Sequence, residues 1–312
     1  MESRILAPVV SVIIPVHGDA PHLSSTIESI KMQSLTEFES VIILDRASKE
    51  IETYARNLTL ESDKFKVVVS KKAGISHALN TGIRESSGEF IARIDADDLM
   101  HKDRLMLQKN FLEKNRAVVC VGSQVTKINV HGTRIGRSGY PVTNKQITST
   151  LLFRNCIAHP SVMYRRSSVL QVSGYRPDFD GVEDYDLWLR LSMIGQIRNM
   201  QLALTSYRVW DNQITKKKKH LLLENTRRVR ESFEDLLVSQ RCNTRFKKKD
   251  WLLSADHFNQ SLQKFSISGE MISAVQNLFA SFKLTPSLTT RICSGYILNS
   301  LLARIRSFNR EN

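Results

Sequence analysis

The sequence lacks the features that would mark a membrane or secreted protein. No stretch of the 312 residues approaches the roughly 18 consecutive apolar residues that span a bilayer. The N-terminus has no basic segment followed by an apolar one and a small-residue cleavage pattern. The four cysteines lie far apart without a Cys-x-x-Cys pair, which excludes a zinc ribbon and argues against disulfides. These absences predict a cytoplasmic protein with reduced thiols.

The sequence also has no internal repeat and no low-complexity tract, which excludes solenoids and disordered linkers as its main architecture. Its hydrophobic content of 41% and charged content of 24% are typical of a folded globular protein. A chain of this length forms one large domain or two modest ones.

Positive charge is concentrated near the C-terminus. Of the net +14, residues 213–312 carry 18 Lys and Arg against 8 Asp and Glu, beginning with four lysines at 216–219. This break predicts a domain over residues 1–215 and a basic helical region over residues 216–312. The lysine run is either a solvated loop or a patch for an anionic membrane or a nucleic acid.

The N-terminal part alternates between two periodicities. β-branched runs at residues 9–16, 41–44, 65–69 and 89–94 predict buried strands, and helical spacing follows at residues 23–30 and 75–84. This rhythm predicts an α/β fold, a mostly parallel sheet with helices on both faces. Ligands bind such sheets beyond the C-terminal ends of the strands. Four polar residues fall at or just past predicted strand ends: His17, Asp45, Lys71 and Asp95.

Two acidic clusters are the chemically informative features. Asp95, Asp97 and Asp98 follow a predicted buried strand, and Glu183, Asp184 and Asp186 open a helical stretch. Packed carboxylates repel unless a cation lies between them, and Mg²⁺ and Mn²⁺ prefer carboxylate oxygen. The alternative is that both clusters are helix caps. One cluster for a metal and another for a base would suit metal-assisted group transfer.

Beyond Lys219 the spacing is helical. One face carries Val229, Phe233 and Leu236, and further apolar stripes follow to a last one between 288 and 305 that is flanked by arginines. Such stripes are either packing faces or, for the last one, a surface that lies on a membrane.

Several motifs, in order and spacing, resemble those of family 2 glycosyltransferases over roughly residues 9–215. They are Ser11-Val12-Ile13-Ile14-Pro15-Val16, Ser29-Ile30, Gln33-Ser34, Leu44-Asp45 with Ser48, Leu79-Asn80-Thr81-Gly82-Ile83, Gly88-Glu89-Phe90-Ile91-Ala92, Asp95-Ala96-Asp97-Asp98, His159-Pro160-Ser161-Val162-Met163 and Glu183-Asp184-Tyr185-Asp186-Leu187-Trp188-Leu189-Arg190. The resemblance implies a GT-A fold, the Rossmann-like fold of nucleotide-diphospho-sugar transferases. It also implies inverting transfer of a hexosyl or N-acetylhexosaminyl group from a nucleotide-diphosphate donor to an acceptor hydroxyl.

The resemblance also implies roles for single residues. Asp95 would contact the ribose, and Asp97 would bind Mn²⁺ or Mg²⁺ at the pyrophosphate. Asp184 would be the general base, with Glu183 shaping its environment. The remaining donor-binding residues would be Pro15, Val16, His17 and Asp45 at the base, Asn80 near ribose and phosphate, and His159, for which a structural role is the alternative.

Two departures from the family pattern affect specificity. Arg46 stands where members commonly have a second Asp, and it cannot accept a hydrogen bond from a uracil imide. Trp210 follows Tyr207-Arg208-Val209, where some relatives have a metal-binding histidine, so we expect no histidine ligand there. Trp210 would stack on a sugar or lie in the core, and the core is the favoured interpretation.

Other basic residues have two interpretations each. Arg165 and Arg166 would hold phosphate or lie in solvent, and an ion pair with its helix's acids is favoured for Arg190. Lys71 and Lys72 would face the nucleotide or, as favoured, the solvent.

Family habit suggests a role in bacterial surface polysaccharide synthesis, such as lipopolysaccharide, O-antigen, capsule or exopolysaccharide. The partners would be a nucleotide-sugar donor, a glycan acceptor that could be lipid-linked, and the anionic inner face of the cell membrane. Two alternatives are a sugar nucleotidyltransferase and a basic nucleic-acid-binding protein. The first lacks a Gly-rich phosphate loop after the first strand, and the second leaves both acidic clusters unexplained.

Overall fold

The computed structural model describes residues 8–210 and 219–239. Nine strands and eight helices are described there. The strands are β1 (Val10–Gly18), β2 (Phe38–Ala47), β3 (Phe65–Val69), β4 (Phe90–Arg93), β5 (Leu99–Met100), β6 (Val118–Ile128), β7 (Arg134–Arg137), β8 (Met163–Arg165) and β9 (Gln196–Arg208). The helices are α1 (Leu23–Lys31), α2 (Lys49–Glu61), α3 (Ile75–Glu85), α4 (Arg104–Lys114), α5 (Asn144–Leu151), α6 (Arg166–Gln171), α7 (Glu183–Ile194) and α8 (Lys219–Ser239), with short 3₁₀ turns at His159–Ser161 and Pro177–Phe179.

The strands form one mixed sheet in the order β3-β2-β1-β4-β8-β6-β9-β5, and β7 pairs with β6. Strands β3, β2, β1 and β4 are parallel. Strand β8 runs antiparallel to both β4 and β6, and β9 then runs parallel to β6. The carboxyl ends of β1, β2 and β4 therefore meet at one edge of the sheet, which is where ligands bind such folds.

The parallel half has helices over both faces, and its central strands are largely apolar and buried. Consecutive residues of β1, such as Val12, Ile13 and Ile14, are fully buried because neither face meets solvent. Helix α1 buries Leu23, Ile27 and Ile30 at the helical spacing that the sequence shows. The predicted α/β architecture with its four N-terminal strands is confirmed. Only this half was predicted, however, since β5 to β9 were not recognised from the sequence.

A buried arginine connects the end of the parallel half to the antiparallel half. Arg104 is fully buried at the start of α4 and donates to the backbone oxygens of Arg93, Pro160 and Val162 at 2.7–3.0 Å. Burial lowers its pKa to about 9. These bonds connect the end of β4 to the 3₁₀ turn at His159–Ser161 and fix the two segments relative to each other.

The contacts divide the chain into two units, residues 1–142 with 157–222 and residues 143–156 with 223–312. In the second unit the predicted helical face of α8 is confirmed, since Val229 and Phe233 are buried. Arg230 of α8 also donates to the Phe153 oxygen at 3.5 Å. The predicted stripes beyond residue 239 lie outside the described residues, and the division at residue 215 stays a prediction. None of the described helices is long and apolar enough to cross a membrane.

Gly88 allows the loop before β4 to pass against β1. A Cβ atom there would lie 2.7 Å from the Ser11 nitrogen and 2.9 Å from the Val10 carbonyl carbon, both backbone atoms. We expect Gly88→Ala to lower the free energy of unfolding by about 1–3 kcal/mol, the usual cost of overpacking. Urea unfolding measures it, with Gly136→Ala as control because its Cβ would meet only a lysine side chain at 3.9 Å. Equal loss in the two variants would contradict the tight approach.

Candidate active site

The adjacent ends of β1 and β2 bring His17 and Asp45 together. Nδ1 of His17 lies 2.8 Å from the Asp45 backbone oxygen and 3.6 Å from its carboxylate. The same carboxylate accepts from the Gly74 N–H at 3.1 Å, at the start of α3. His17 is exposed, whereas Pro15 and Val16 are buried within β1. Of these three β1 residues, only His17 therefore presents its side chain to solvent.

The first acidic cluster follows β4. One carboxylate oxygen of each of Asp95, Asp97 and Asp98 lies within 4.8 Å of the other two. The last residue of β9 holds the loop, since the Arg208 N–H donates to Asp98 Oδ1 and its side chain to the Asp97 backbone oxygen, both at 2.8 Å. Asp98 is fully buried, and its Oδ2 has no hydrogen-bond partner among the described residues.

The close carboxyl groups of this cluster would be stabilised in their charged form by a nearby positive charge. Burial and the neighbouring Asp95 raise the pKa of Asp97, and they raise that of Asp98 well above its ordinary value. An unpartnered buried oxygen and three close carboxylates are the oxygen donors that a hard divalent cation takes. The residues present therefore fit Mg²⁺ or Mn²⁺.

Two residues that the sequence analysis missed or misjudged contact this cluster. Arg93, at the end of β4, is almost fully buried and donates to both carboxylate oxygens of Asp95. Trp210 is only partly buried, and its indole N–H donates to Asp97 Oδ2 at 2.7 Å. The expectation that Trp210 belongs to the core is thus wrong, because the side chain is only partly buried and its N–H meets a partly buried carboxylate. Arginine inside an apolar strand was the signal for Arg93, since such a charge needs a partner.

The second acidic cluster lies in the first turn of α7, as predicted. Glu183 is buried and accepts from the Gly181 N–H at 2.6 Å, while Asp184 remains partly exposed. Burial and the neighbouring Asp184 raise the pKa of Glu183 to about 8. Glu183 is therefore largely protonated at neutral pH, beside a second carboxyl group that is open to solvent.

His159 belongs to a buried group next to Glu183. Its Nδ1 lies 3.7 Å from Glu183 Oε1, and its Nε2 lies 2.9 Å from the Tyr175 hydroxyl. Its ring packs edge-on against Trp188. Burial and then the charge of Arg93 lower the pKa of His159 well below its ordinary value, so the ring is neutral. The Asn80 amide holds the Tyr175 backbone by bonds of 2.7 and 2.8 Å, which engages the side chain predicted near the ribose.

Arg93 relates the two acidic clusters to each other. Its charge lowers the pKa of Asp97 and Asp98 in the first cluster and that of Glu183 in the second, against the effect of burial. One buried guanidinium thus acts on carboxyl groups from both parts of the chain. The two clusters are therefore candidates for a single site.

The remaining charged residues near the motifs either bond within the fold or lie in solvent. Asp186 is buried between Arg176 and Arg190, which confirms the favoured interpretation of Arg190. Arg165 donates to the Leu112 and Val118 backbone oxygens and is paired with Phe90 at the opposite end of β4. A phosphate role for Arg165 is therefore wrong, because its donors are engaged away from the acids. Lys71 and Lys72 are exposed, as favoured.

Comparison with known proteins identifies the family of the chain. A sequence model described as Glycosyl transferase family 2 matches residues 11–173, more than half of the chain. The chain belongs to glycosyl transferase family 2. It is 34% identical over 221 residues to the O-antigen biosynthesis glycosyltransferase WbnJ of Escherichia coli, covering 70% of this chain and 85% of WbnJ. It is 27% identical over 200 residues to the amylovoran biosynthesis glycosyltransferase AmsE of Erwinia amylovora, covering 63% and 74%.

Solved structures of transferases share the fold. TarS residues 1–349 of S. aureus, in complex with UDP-GlcNAc, align with a TM-score of 0.62 at 16% identity over 91% of this chain and 83% of that one. The mannosyltransferase PcManGT of Pyrobaculum calidifontis, in complex with GDP-Man and Mn²⁺, aligns with a TM-score of 0.57 at 16% identity over 97% and 81%. The predicted GT-A fold is confirmed, and the protein is a glycosyltransferase. Family membership thus supports the glycosyltransferase over the two alternative functions.

The protonated state of Glu183 makes stability depend on pH. The unfolded chain releases this proton near the ordinary value of 4.5, whereas the folded protein keeps it to about 8. The contribution to stability is therefore complete below about pH 4.5 and is lost as pH rises to 8. We expect the free energy of unfolding to fall less between pH 5 and 8 in Glu183→Gln than in the parent chain. Denaturant unfolding at several pH values measures it, and Glu113→Gln on the surface of α4 is the control. Parallel profiles of the parent and Glu183→Gln would contradict the buried proton.

Proposed function

We propose that this chain transfers a sugar, with inversion, from a nucleotide-diphosphate donor to a hydroxyl of a growing bacterial surface polysaccharide. Family membership gives the reaction class. The carrying observation is the pair of acidic clusters, since the three close carboxylates after β4 supply a cation site and the acids that open α7 supply a base. Inverting transfer needs both, since the leaving diphosphate gains charge while the acceptor hydroxyl loses a proton.

On the donor side, we assign the nucleotide to the edge formed by β1 and β2. Pro15, Val16, His17 and Asp45 would form the pocket for the base, with His17 its exposed member. Asp95 would bind the ribose, and Asn80 and His159 would support the donor from the adjoining segments. The exposed Arg46 beside Asp45 would set the preference for the base.

Asp97 is the residue we assign to the divalent cation, Mn²⁺ or Mg²⁺. A bound cation would offset the charge that develops on the pyrophosphate as the sugar leaves. Asp97 contributes a carboxylate beside Asp95 and Asp98, and the buried Asp98 holds the loop through the Arg208 backbone.

Asp184 is the residue we assign as general base. Its carboxylate takes the proton of the acceptor hydroxyl as the oxygen attacks the anomeric carbon and the bond from that carbon to the diphosphate breaks. Of the adjacent pair, Glu183 keeps its proton because it is buried, so the more exposed Asp184 is the carboxyl group that we assign to the acceptor. The neutral His159 beside Glu183 adds no competing positive charge.

The relatives support the substrate class. WbnJ is named for O-antigen and AmsE for amylovoran, which are both bacterial polysaccharides, and TarS was solved with UDP-GlcNAc. We assign a nucleotide-sugar donor and a glycan acceptor that is lipid-linked at the cytoplasmic membrane.

The basic region at residues 216–312 would hold the enzyme at that membrane. It carries most of the net charge of the chain, with 18 Lys and Arg against 8 Asp and Glu. Each Lys or Arg near an anionic leaflet is worth about 1 kcal/mol, so several together suffice for reversible attachment. The competing role is packing alone, which the buried Val229 and Phe233 of α8 favour for the first of the stripes.

Asp184→Asn tests the base. The amide keeps the shape of the side chain but cannot take a proton, and loss of a positioned base lowers the rate by roughly 10²–10⁴-fold. We expect donor affinity to remain near that of the parent chain while transfer falls by that factor. Calorimetry and a transfer assay with a nucleotide-sugar panel measure the two quantities, with the exposed Asp178→Asn as control. Transfer at the parent rate would place the base elsewhere.

Vesicle flotation tests the membrane role. We expect the full chain to float with anionic vesicles at low salt and to be released at high salt, because the attraction is electrostatic and screened. Vesicles of neutral lipid serve as the control and should recover none. Equal recovery with both lipids, or none with either, would leave packing as the role of the basic region.

A further inference from the structure

Trp210 lies against the acidic cluster at the point where the chain leaves β9. Its indole N–H donates to Asp97 Oδ2 at 2.7 Å. Two residues earlier, Arg208 donates from its backbone to Asp98 and from its side chain to the Asp97 backbone. The end of β9 thus supplies hydrogen bonds to both of these acids, and the bond from Trp210 is the one that reaches the Asp97 carboxylate.

A second contact fixes the plane of the indole. The ring of His22, just before α1, packs edge-on against Trp210 with ring centroids 5.0 Å apart and an angle of 64° between the planes. Burial and the charge of Arg208 lower the pKa of His22, which favours the neutral ring in this contact. The indole is therefore held both by a hydrogen bond and by a ring.

The chemistry of the indole sets what it can do there. Its nitrogen is a hydrogen-bond donor with no free lone pair, so it cannot ligate a metal. The indole N–H can, however, orient a carboxylate that ligates the metal. Groups that hydrogen-bond to metal ligands fix their orientation, and their loss commonly costs 10–100-fold in metal affinity.

We propose that Trp210 is a positioning residue of the cation site, which orients Asp97 and keeps the donor set entirely oxygen. This inference rests on the proposed metal role of Asp97. Among the described residues the ligand atoms grouped within 4.8 Å are carboxylate oxygens alone. Oxygen donors suit Mg²⁺ and Mn²⁺, whereas an imidazole at the position of the indole would favour Co²⁺ and Ni²⁺.

Mn²⁺ binding to the full chain tests the orienting role. The free ion is followed by electron paramagnetic resonance in the presence of UDP and, separately, GDP. Trp210→Phe keeps an aromatic ring but removes the N–H donor, and we expect its Kd for Mn²⁺ to rise by about 10–100-fold. Asp97→Ala gives the reference for loss of the ligand. The Tm of Trp210→Phe in EDTA should match that of the parent chain. A matching Tm shows that the loss of metal affinity does not come from a loss of folding stability.

Trp210→His tests the selectivity. The new imidazole offers a nitrogen ligand, so displacement of Mn²⁺ should show affinity for Ni²⁺ rising relative to Mg²⁺, on the order of tenfold. Parent-like Mn²⁺ binding by Trp210→Phe, or an unchanged ratio of Ni²⁺ to Mg²⁺ in Trp210→His, would overturn the role of Trp210 alone. Absence of Mn²⁺ binding by the parent chain, with either nucleotide, would overturn the metal role and this inference together.

Discussion

The buried ion pair of Arg93 and Asp95 is the interaction on which the site depends. Arg93 closes β4 in the middle of the sheet, where it is 3% exposed, and a charge in that position is stable only beside opposite charge. Asp95 supplies that charge directly, because both of its carboxylate oxygens accept hydrogen bonds from the guanidinium. The same guanidinium closes a central strand, and in our proposal it also joins the first acidic cluster to the second, because its charge lowers the pKa of Glu183.

Burial distributes the protons between the two clusters. Asp98 and Glu183 are buried and both have raised pKa values, while Asp184 is more open to solvent. The third buried acid, Asp186, is paired with Arg176 and Arg190. Each cluster thus pairs a carboxyl group that shapes the local field with one available for chemistry. Arg104 supports this arrangement from below, because its bonds to the Arg93 and Pro160 oxygens keep β4 and the turn at His159–Ser161 together.

The sequence predicts the parallel half and both acidic clusters, for physical reasons that particular residues illustrate. Strands buried on both faces show as continuous apolar runs such as Val12-Ile13-Ile14, and the acids follow such a run directly. The antiparallel half is less regular: β6 and β9 are long and half-polar with register shifts, and β5 is two residues long. Contacts between residues that lie far apart in the sequence cannot be read from its local patterns. The hydrogen bond from Trp210 to Asp97, 113 residues apart, was missed for this reason.

The most direct test of a single site formed by both acidic clusters compares Arg93→Lys with the parent chain. The measured quantity is the release of nucleoside diphosphate from a panel of nucleotide sugars in the presence of Mn²⁺. Lysine keeps the charge but loses the bidentate hydrogen bonds to the Asp95 carboxylate. Hydrogen bonds to charged groups are worth about 1.5–3 kcal/mol each. The account predicts turnover lower by at least roughly tenfold, with Arg137→Lys at the exposed strand β7 unchanged. Turnover in Arg93→Lys equal to that of the parent would contradict a site joined by Arg93.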